Sequence, residues 1–332
     1  MENKRILILG GTGALGKTLI TKYQPDNEII VFSRDEHKHV NMQKDNKFNS
    51  DVIYTIGDVK DKNSIANAIE DFKPNVIINT AALKHVPICE NNAFESVNVN
   101  ILGHQNLIEA VKQSTHKIET LIFVSTDKAC KPINVYGMCK AISEKLYIDY
   151  ASKQDDIKVC LVRYGNVLES TGSVIPFFKK LLKEGSSTLP ITHASMTRFL
   201  LTLDQATDLI EWTYDDISSH GKIAIPKIKS FLMTDIAKCL IKFYDLQDKV
   251  SLDIVGIRPG EKIHEEMISS EEWLRTIDGE NYLIDSETHF FNPGEPDLKS
   301  TPNREMHSYN SENSVMGFDE AYKFLLDTEV LK

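Results

Sequence analysis

The chain has 332 residues, of which 41% are apolar and 26% charged, and its formal net charge is −10. The length allows one large domain or two, and the composition is that of an ordinary globular protein. The negative charge argues against a nucleic-acid partner, and no apolar run approaches the roughly 18 residues that span a bilayer. We therefore expect a cytoplasmic protein with no nucleic-acid and no membrane partner.

The cysteines and histidines show no spacing typical of a metal site. The five cysteines are odd in number and form no CxxC pair, and the ten histidines form no HxxxH or HExxH pattern. Paired ligands at such spacings are what zinc sites require. We expect free thiols and no metal.

The chain opens with an apolar run, Arg5–Leu9, which is followed by glycines at positions 10, 13 and 16 and a helical segment to about Tyr23. In a strand–glycine–helix unit, the first glycine allows a tight turn, the second lets a pyrophosphate approach the backbone, and the third allows close helix–strand packing. The pattern predicts a dinucleotide site built on Gly10, Gly13 and Gly16.

The next two strands indicate which dinucleotide is bound. The strand at 28–32 ends in Ser33, Arg34 and Asp35. A lone acid at this position selects NAD through the ribose 2′-hydroxyl, whereas Ser33 and Arg34 suit a 2′-phosphate. NADP is favoured, although Asp35 keeps NAD open. The strand at 52–57 leads to Asp58, placed to reach the adenine amine, and to Val59, placed to pack on the ring.

A fourth strand, 76–78, is followed by small residues and then by a lysine. Ala81 and Ala82 leave room for the cofactor backbone, and Lys84 lies at the carboxyl end of the strand, where open α/β sheets bind their ligands. Lys84 is therefore predicted to contact cofactor or substrate. A long helix is predicted from about Glu90 to Gln113.

The most informative stretch follows the buried strand at 121–124. Tyr136 and Lys140 lie one helical turn apart, a spacing that suits hydride chemistry on an alcohol. A tyrosine has a pKa of about 10, so service as a base near pH 7 requires a shift of about three units, or about 4 kcal/mol. An ammonium at about 4 Å and an effective dielectric constant of about 20 supplies about 4 kcal/mol. We therefore predict that Tyr136 is the base and that Lys140 lowers its pKa.

Alternating strands and helices predict an α/β fold with a doubly wound parallel sheet of the Rossmann type and a smaller, partly discontinuous substrate-binding lobe. We expect residues 1–167 to form the nucleotide-binding domain, with 200–230 returning to it. Residues 168–199 and 231–332 should form mainly the second lobe. The segment 292–313, rich in Pro, Asn, Ser and Glu, should wrap the surface.

Several motifs together resemble the extended short-chain dehydrogenase/reductase superfamily. Within it, the chain is similar to the soluble inverting UDP-N-acetylglucosamine 4,6-dehydratases, which also epimerise C5, and the likeness covers nearly the whole chain. The motifs are Thr12-Gly13-Ala14-Leu15-Gly16, Ser125-Thr126-Asp127-Lys128-Ala129, Tyr136-Gly137 with Lys140, Arg163-Tyr164-Gly165-Asn166-Val167, Met196-Thr197-Arg198-Phe199 and Arg258-Pro259-Gly260-Glu261-Lys262.

This resemblance implies roles for named residues. The expected cofactor contacts are Gly10, Thr12, Gly13, Ala14, Leu15, Gly16, Ser33, Arg34, Asp35, Lys38, Asp58, Val59, Ala81, Ala82, Lys84, Tyr136 and Lys140. The expected substrate contacts are Lys84, Asn166, Val167, Arg198, Arg258 and Glu261, with the two arginines matching the pyrophosphate charge. The expected catalytic residues are Thr126, Asp127, Lys128, Tyr136 and Lys140.

The same resemblance implies a reaction. NADP takes a hydride from sugar C4 and returns it to C6, while Tyr136 handles the O4 proton. Lys128 is expected to remove the C5 proton, and Asp127 to protonate the departing O6 hydroxyl, which requires a raised pKa. The substrate would be UDP-GlcNAc, the product would serve glycan biosynthesis, and the enzyme is expected to be a homo-oligomer.

Three alternatives remain open on the sequence. A retaining 4,6-dehydratase of the membrane-anchored branch also carries Thr-Asp-Lys, but usually has Met in place of Tyr136 and an N-terminal extension. A UDP-hexose 4-epimerase uses the Tyr136 and Lys140 pair but needs no acid and base at C5 and C6, so Asp127 and Lys128 argue against it. A non-catalytic NADP-binding regulator would generally lack the Tyr or the Lys.

Overall fold

The computed structural model describes residues 1–168, 173–286 and 307–331. Within these ranges the strands are β1 Arg5–Leu9, β2 Glu28–Ser33, β3 Ile53–Ile56, β4 Val76–Asn79, β5 Thr120–Val124, β6 Lys158–Val162, β7 Asn166–Val167, β8 Thr188–Ile191, β9 Thr197–Leu201, β10 Ile223–Ile225, β11 Ser230–Leu232, β12 Ser251–Ile254, β13 Glu266–Ile268, β14 Thr276–Asp278, β15 Tyr282–Ile284 and β16 Tyr309–Asn310. The α-helices are α1 Ala14–Tyr23, α2 Glu36–Gln43, α3 Lys62–Phe72, α4 Val86–Asn91, α5 Ala93–Val97, α6 Gly103–Gln113, α7 Val135–Ala151, α8 Val174–Lys183, α9 Leu203–Asp215, α10 Met233–Phe243, α11 Ser270–Trp273 and α12 Phe318–Asp327.

The described residues form a nine-stranded sheet in the order β14-β15-β10-β6-β5-β4-β1-β2-β3. The strands from β3 through to β10 are parallel, and β15 and β14 add antiparallel to β10. The strand order reverses between β1 and β4, and ligands of such sheets bind in the crevice at this point. The predicted doubly wound fold is confirmed.

Two apolar clusters cover the two faces of the sheet, and a third forms the core of a second lobe. One face packs Leu7, Leu9 and Phe123 against α3, α6 and α7, and the other packs Ile6 and Ile8 against α1 and α9. These strands are apolar on both faces because helices bury both sides, as parallel sheets require. The third cluster joins α8, α10 and α12.

One predicted element differs from the structure. The predicted helix at 90–113 is interrupted at Asn92, which has φ −134° and ψ 52°, outside the helical region, and separates α4 from α5. From α5 the chain continues through a π-helix at Asn98–Leu102 into α6. Within residues 231–332, expected to form mainly the second lobe, β14 and β15 extend the large sheet beside β10. Strands of three residues give too little periodicity to predict.

The segment expected to wrap the surface falls largely outside the described residues. In the part that is described, from residue 307, β16 pairs with β13 and Ser311 is fully buried. Across the ranges described above, no helix has the length and apolar character needed to cross a membrane.

Candidate active site

The turn after β1 is shaped for close approach of a ligand. Gly10 has φ +76°, and a Cβ added there would lie 2.8 Å from the Cα of Ala81 at the end of β4. A Cβ on Gly16 would lie 2.5 Å from the Cα of Gly11, so α1 can pack tightly on the turn only with glycine. No side chain caps the start of α1. Backbone N–H groups at an uncapped helix start are suited to bind a pyrophosphate.

The acid at the end of β2 caps the following helix. The Asp35 carboxylate accepts a hydrogen bond from the backbone N–H of Lys38 at 3.1 Å and so caps α2, and this bond lowers the pKa of Asp35. Arg34 is half exposed, with its Nη1 3.7 Å from the carboxylate of Asp58. Ser33 Oγ lies 3.0 Å from the hydroxyl of Thr12. Asp35 therefore has a structural partner, and Ser33 Oγ has a second contact, His39 Nε2 at 2.7 Å.

The loop after β4 is held by a residue that sequence reasoning did not select. The side chain of the fully buried Asn100 accepts from the Leu83 N–H and donates to the Leu83 carbonyl, both at 2.8 Å. Asn100 lies in the π-helix, so this irregular turn positions the loop that carries Lys84. Partial burial lowers the pKa of Lys84.

Asp127 and Lys128 lie together at the end of β5. Lys128 Nζ donates to Asp127 Oδ1 at 3.1 Å and to Asn166 Oδ1 at 3.4 Å, and the Thr126 hydroxyl donates to Asp127 Oδ1 at 2.9 Å. Asp127 is fully buried, and its Oδ2 has no hydrogen-bond partner among the described residues. Burial raises the pKa of Asp127, which is the property that a proton donor needs at neutral pH.

The protonation of Lys128 is set by its neighbours. Burial lowers its pKa, but the acids Asp127 and Glu265 outweigh burial and raise it above its ordinary value, and Glu265 keeps its charge when Asp127 holds a proton. Lys128 is therefore an ammonium at neutral pH in this arrangement. Its action as a base requires that a proton leave it before it can accept the proton of C5.

Tyr136 and Lys140 both lie on α7, as expected, but the electrostatic relation between them differs from the prediction. Lys140 Nζ donates to the Val124 carbonyl at 2.8 Å, and burial lowers its pKa to about 7. Burial raises the pKa of Tyr136 to about 12, and the charge that opposes this rise is Lys128. The prediction that Lys140 supplies the lowering charge thus does not describe this structure, because its ammonium is directed to the end of β5.

Gly137 fixes the distance between the two acid–base pairs. A Cβ at this position would overlap the carbonyl oxygen of Lys128 and lie 3.1 Å from its carbonyl carbon. Asn134 caps α7 by accepting from the Gly137 N–H at 2.8 Å. The glycine after Tyr136 therefore lets the start of α7 rest directly on the turn that carries Lys128.

The predicted substrate contacts approach the same place from the second lobe. Asn166 reaches Lys128 directly, and Val167 pairs with β9, which also carries Arg198. Arg198 donates to the carbonyls of Thr197, Lys262 and Ile263 at 2.7 to 3.0 Å, so it fastens the 262–263 loop. Its pairing with a pyrophosphate stays a prediction.

The remaining predicted contacts lie on the turn at 258–261. Arg258 is exposed, and Glu261 Oε2 is buried without a hydrogen-bond partner in the described part of the chain. The Gly260 carbonyl accepts from Asn134 at 2.8 Å, which joins this turn to the start of α7. A buried acceptor without a donor fits a ligand hydroxyl, as predicted for Glu261.

A buried ionic triad joins the elements that carry the site residues. Arg163 is 1% exposed and donates to Glu144 on α7 at 2.6 Å and to Glu272 on α11 at 2.8 Å. Burial raises the pKa of Glu272, but Arg163 outweighs it and brings the value to about 2. Ser125 donates to Glu144 at 2.6 Å, so the triad links β5, β6, α7 and α11.

Comparison with known proteins places this geometry in context. The model of a family described as polysaccharide biosynthesis protein matches residues 6–287. Two relatives from Campylobacter jejuni are named UDP-N-acetylglucosamine 4,6-dehydratase (inverting). One is 41% identical, with 87% of each chain covered, and the other is 40% identical, with 96% of each covered.

Other relatives carry different names. A protein from Rickettsia bellii named UDP-glucose 4-epimerase is 38% identical, with 84% of this chain and 82% of the relative covered. Among solved structures, that of Pen from Bacillus thuringiensis has a TM-score of 0.85 at 29% identity and covers 100% of this chain and 99% of its own. A structure of DesIV from Streptomyces venezuelae, titled a dTDP-glucose 4,6-dehydratase, matches with a TM-score of 0.67 at 20% identity, which supports the fold alone.

Proposed function

We propose that this chain, which belongs to the polysaccharide biosynthesis protein family, is a UDP-N-acetylglucosamine 4,6-dehydratase that inverts C5. The observation that carries the proposal is the pair formed by a buried Asp127 with a free acceptor oxygen and Lys128 at 3.1 Å. It lies beside Tyr136 and provides an acid and a base beyond those that alcohol oxidation needs. The product would be a UDP-2-acetamido-2,6-dideoxy-4-keto-L-hexose.

The cofactor proposed is NADP. The uncapped start of α1 and the close approach of Gly10 to Ala81 suit a pyrophosphate, and Arg34 with Ser33 suits a 2′-phosphate. Because Asp35 caps α2, one oxygen of its carboxylate already accepts the backbone N–H of Lys38. Bound there, the nicotinamide would take a hydride from the sugar and return it, so that the net reaction consumes no reductant.

The chain's own residues would handle the protons. Tyr136 removes the proton of O4 as the 4-ketone forms, and the ketone makes the C5 hydrogen acidic. Once its ammonium has released a proton to solvent, Lys128 takes the C5 proton and Asp127 gives its proton to the O6 hydroxyl, which leaves as water. C6 would then receive the hydride back from the nicotinamide, and C5 takes a proton from water on the opposite face, which inverts it. Asn166, Val167, Arg198, Arg258 and Glu261 are proposed to hold the nucleotide sugar, with Lys84 at the crevice mouth.

The second candidate is a UDP-hexose 4-epimerase, because the Rickettsia bellii relative bears that kind of name. An epimerase oxidises C4 and returns the hydride to C4, so it needs Tyr136 and the cofactor only. Under that function, Asp127 and Lys128 would have no proton to transfer. The two candidates therefore differ in what a Lys128 substitution does.

Incubation with UDP-GlcNAc, UDP-glucose and UDP-galactose, followed by NMR of the products, tests the proposal. A 4-keto-6-deoxy product from UDP-GlcNAc supports it, and a 4-epimer without loss of water overturns it. Lys128→Ala should abolish dehydration while NADP binding persists, and Tyr136→Phe should block oxidation of any of these sugars. Undiminished product from Lys128→Ala would remove Lys128 from the mechanism.

A homo-oligomer is also proposed. Helices α4, α5 and α7 pack against each other and expose large apolar side chains. The exposed fraction of Phe94, on α5, is 79%. Ile88, Met138 and Ile142 on the same helices are about half exposed. Apolar surface of this kind fits a second copy of the chain. Light scattering should find an oligomer that Phe94→Glu weakens, and a monomeric wild type would contradict it.

A further inference from the structure

The second lobe contributes a second buried carboxylate that also lies close to Lys128. Glu265 is 3% exposed, and its Oε1 is 3.6 Å from Lys128 Nζ. Its Oε2 has no hydrogen-bond partner in the described ranges. Lys128 is thus placed between two carboxylates, although the proposed reaction assigns a proton transfer to Asp127 alone.

The position of Glu265 is fixed by its backbone. The Glu265 N–H donates to Ser311 Oγ at 2.8 Å, and the Ser311 N–H donates to the Glu265 carbonyl at 2.8 Å. Ser311 is fully buried and also lies 2.7 Å from the Thr197 hydroxyl. The carboxylate is therefore held against Lys128 by the framework and not by a mobile loop.

Positive groups face Glu265 from each neighbouring element. Arg198 on β9 has its Nε at 4.0 Å, and Lys262, from the same segment as Glu265, has its Nζ at 3.9 Å. The turn at the end of β5 contributes Lys128 and the acid Asp127. With three cations around it, Glu265 stays ionised, and these cations lower its pKa against the effect of burial. Asp127, facing one cation and a second carboxylate, is the acid that keeps its proton.

We propose that Glu265 is a positioning residue that sets the proton distribution of the Asp127 and Lys128 pair. Its negative charge makes Lys128 a stronger base and Asp127 a weaker acid, so that Asp127 carries a proton to give at neutral pH. Two coupled groups with separated proton affinities are the arrangement that acid–base catalysis uses. The inference rests on the proposed function, since it assigns no reaction of its own.

The test is the pH dependence of kcat/KM for UDP-GlcNAc in the wild type, Glu265→Gln and Glu265→Asp. Removal of one negative charge lowers the pKa of every group that faces it, so Glu265→Gln should move both limbs of the profile to lower pH by about 1 to 3 units. Glu265→Asp keeps the charge and should keep the limbs in place, even if the rate falls. Glu266→Gln is the matched control, because the Glu266 carboxylate pairs with Lys131 Nζ at 2.7 Å and not with Asp127 or Lys128. Its pH profile should match that of the wild type.

A second readout does not need turnover. The pH dependence of Lys128 acylation by an amine-reactive reagent, measured by peptide mass spectrometry, should shift to lower pH in Glu265→Gln. Unchanged limbs and an unchanged Lys128 titration in Glu265→Gln would overturn the inference, as would equal shifts in Glu265→Asp. Failure of the wild type to dehydrate UDP-GlcNAc would instead refute the proposed function, and the Lys128 titration would still test the role of Glu265.

Discussion

The contact between Gly137 and the Lys128 carbonyl gives the sharpest structural prediction. In Gly137→Ala, the new methyl would overlap that oxygen and lie 3.1 Å from the carbonyl carbon. Ordinary carbon contacts need about 3.5 Å or more, and the overlapped oxygen is closer to the methyl than the carbon is, so the start of α7 and the turn at Lys128 must separate by about 1 Å. A displacement of that size at reacting groups can cost about 100-fold in rate. We expect kcat to fall about 100-fold, with a loss of about 1 to 3 kcal/mol in the free energy of unfolding.

The assay compares turnover of UDP-GlcNAc, NADP affinity and urea unfolding for the same variant. NADP affinity should fall far less than kcat, because the atoms that the new methyl would meet belong to Lys128 and Pro132 and not to the glycine turn after β1. Gly279→Ala is the matched control, since its nearest neighbour would lie at 3.4 Å, an ordinary contact. A Gly137→Ala protein with wild-type kcat would refute the reasoning that this contact sets the spacing of the two acid–base pairs.

Three further predictions concern the cofactor, the framework and the pH dependence of stability. Arg34→Ala should weaken NADP binding by about 10- to 100-fold, the effect of losing one hydrogen bond to a charged group, and should leave NAD binding unchanged. Calorimetry that finds NADP and NAD binding equally weakened would contradict the contact of Arg34 with a 2′-phosphate. Arg163→Met should cost about 3 to 5 kcal/mol in urea unfolding, because it leaves the carboxylates of Glu144 and Glu272 buried without a cation, and a loss below about 1 kcal/mol would contradict this. For Lys140, the folded pKa of about 7 lies below its ordinary 10.5, so the unfolded chain binds more protons between these values and stability rises with pH. Freed of nucleotide, the wild type should gain about 2 kcal/mol between pH 7 and 9 relative to Lys140→Met, and parallel stability curves would contradict the lowered pKa.

Local chemistry made much of the fold predictable. The glycines after β1 and the acid Asp61 before α3 mark element boundaries by themselves, and Asp61 accepts from the Asn63 N–H at 3.0 Å, as a helix cap does. Residues 6–9 of β1 and 76–78 of β4 are apolar because both faces of these strands are buried, so the two strands are visible in the sequence as short apolar runs. The prediction of one continuous helix at 90–113 was wrong because neither the break at Asn92 nor the π-helix, which carries the Asn100 that clamps Leu83, has a signal in the sequence.

Spacing alone predicts the site only where its residues are neighbours in sequence, whereas Asn166, which reaches Lys128 from a distant segment, was indicated by the family resemblance. Tyr136 and Lys140 share a helix turn, and Asp127 and Lys128 are consecutive, so spacing predicts their proximity. Glu265 comes from a distant segment, and no periodicity around it indicates that it lies 3.6 Å from Lys128. The sequence also does not distinguish a ribose ligand from a helix cap at Asp35, and only the contact of its carboxylate with the Lys38 N–H identifies the cap.

The most direct test of the central claim is the fate of the C5 hydrogen. When the enzyme converts UDP-GlcNAc in deuterated water, NMR should find a 6-deoxy-4-keto sugar with inverted C5 and deuterium bound to that carbon. A product that keeps its original C5 hydrogen, or that keeps the D configuration, would contradict the roles assigned to Asp127 and Lys128.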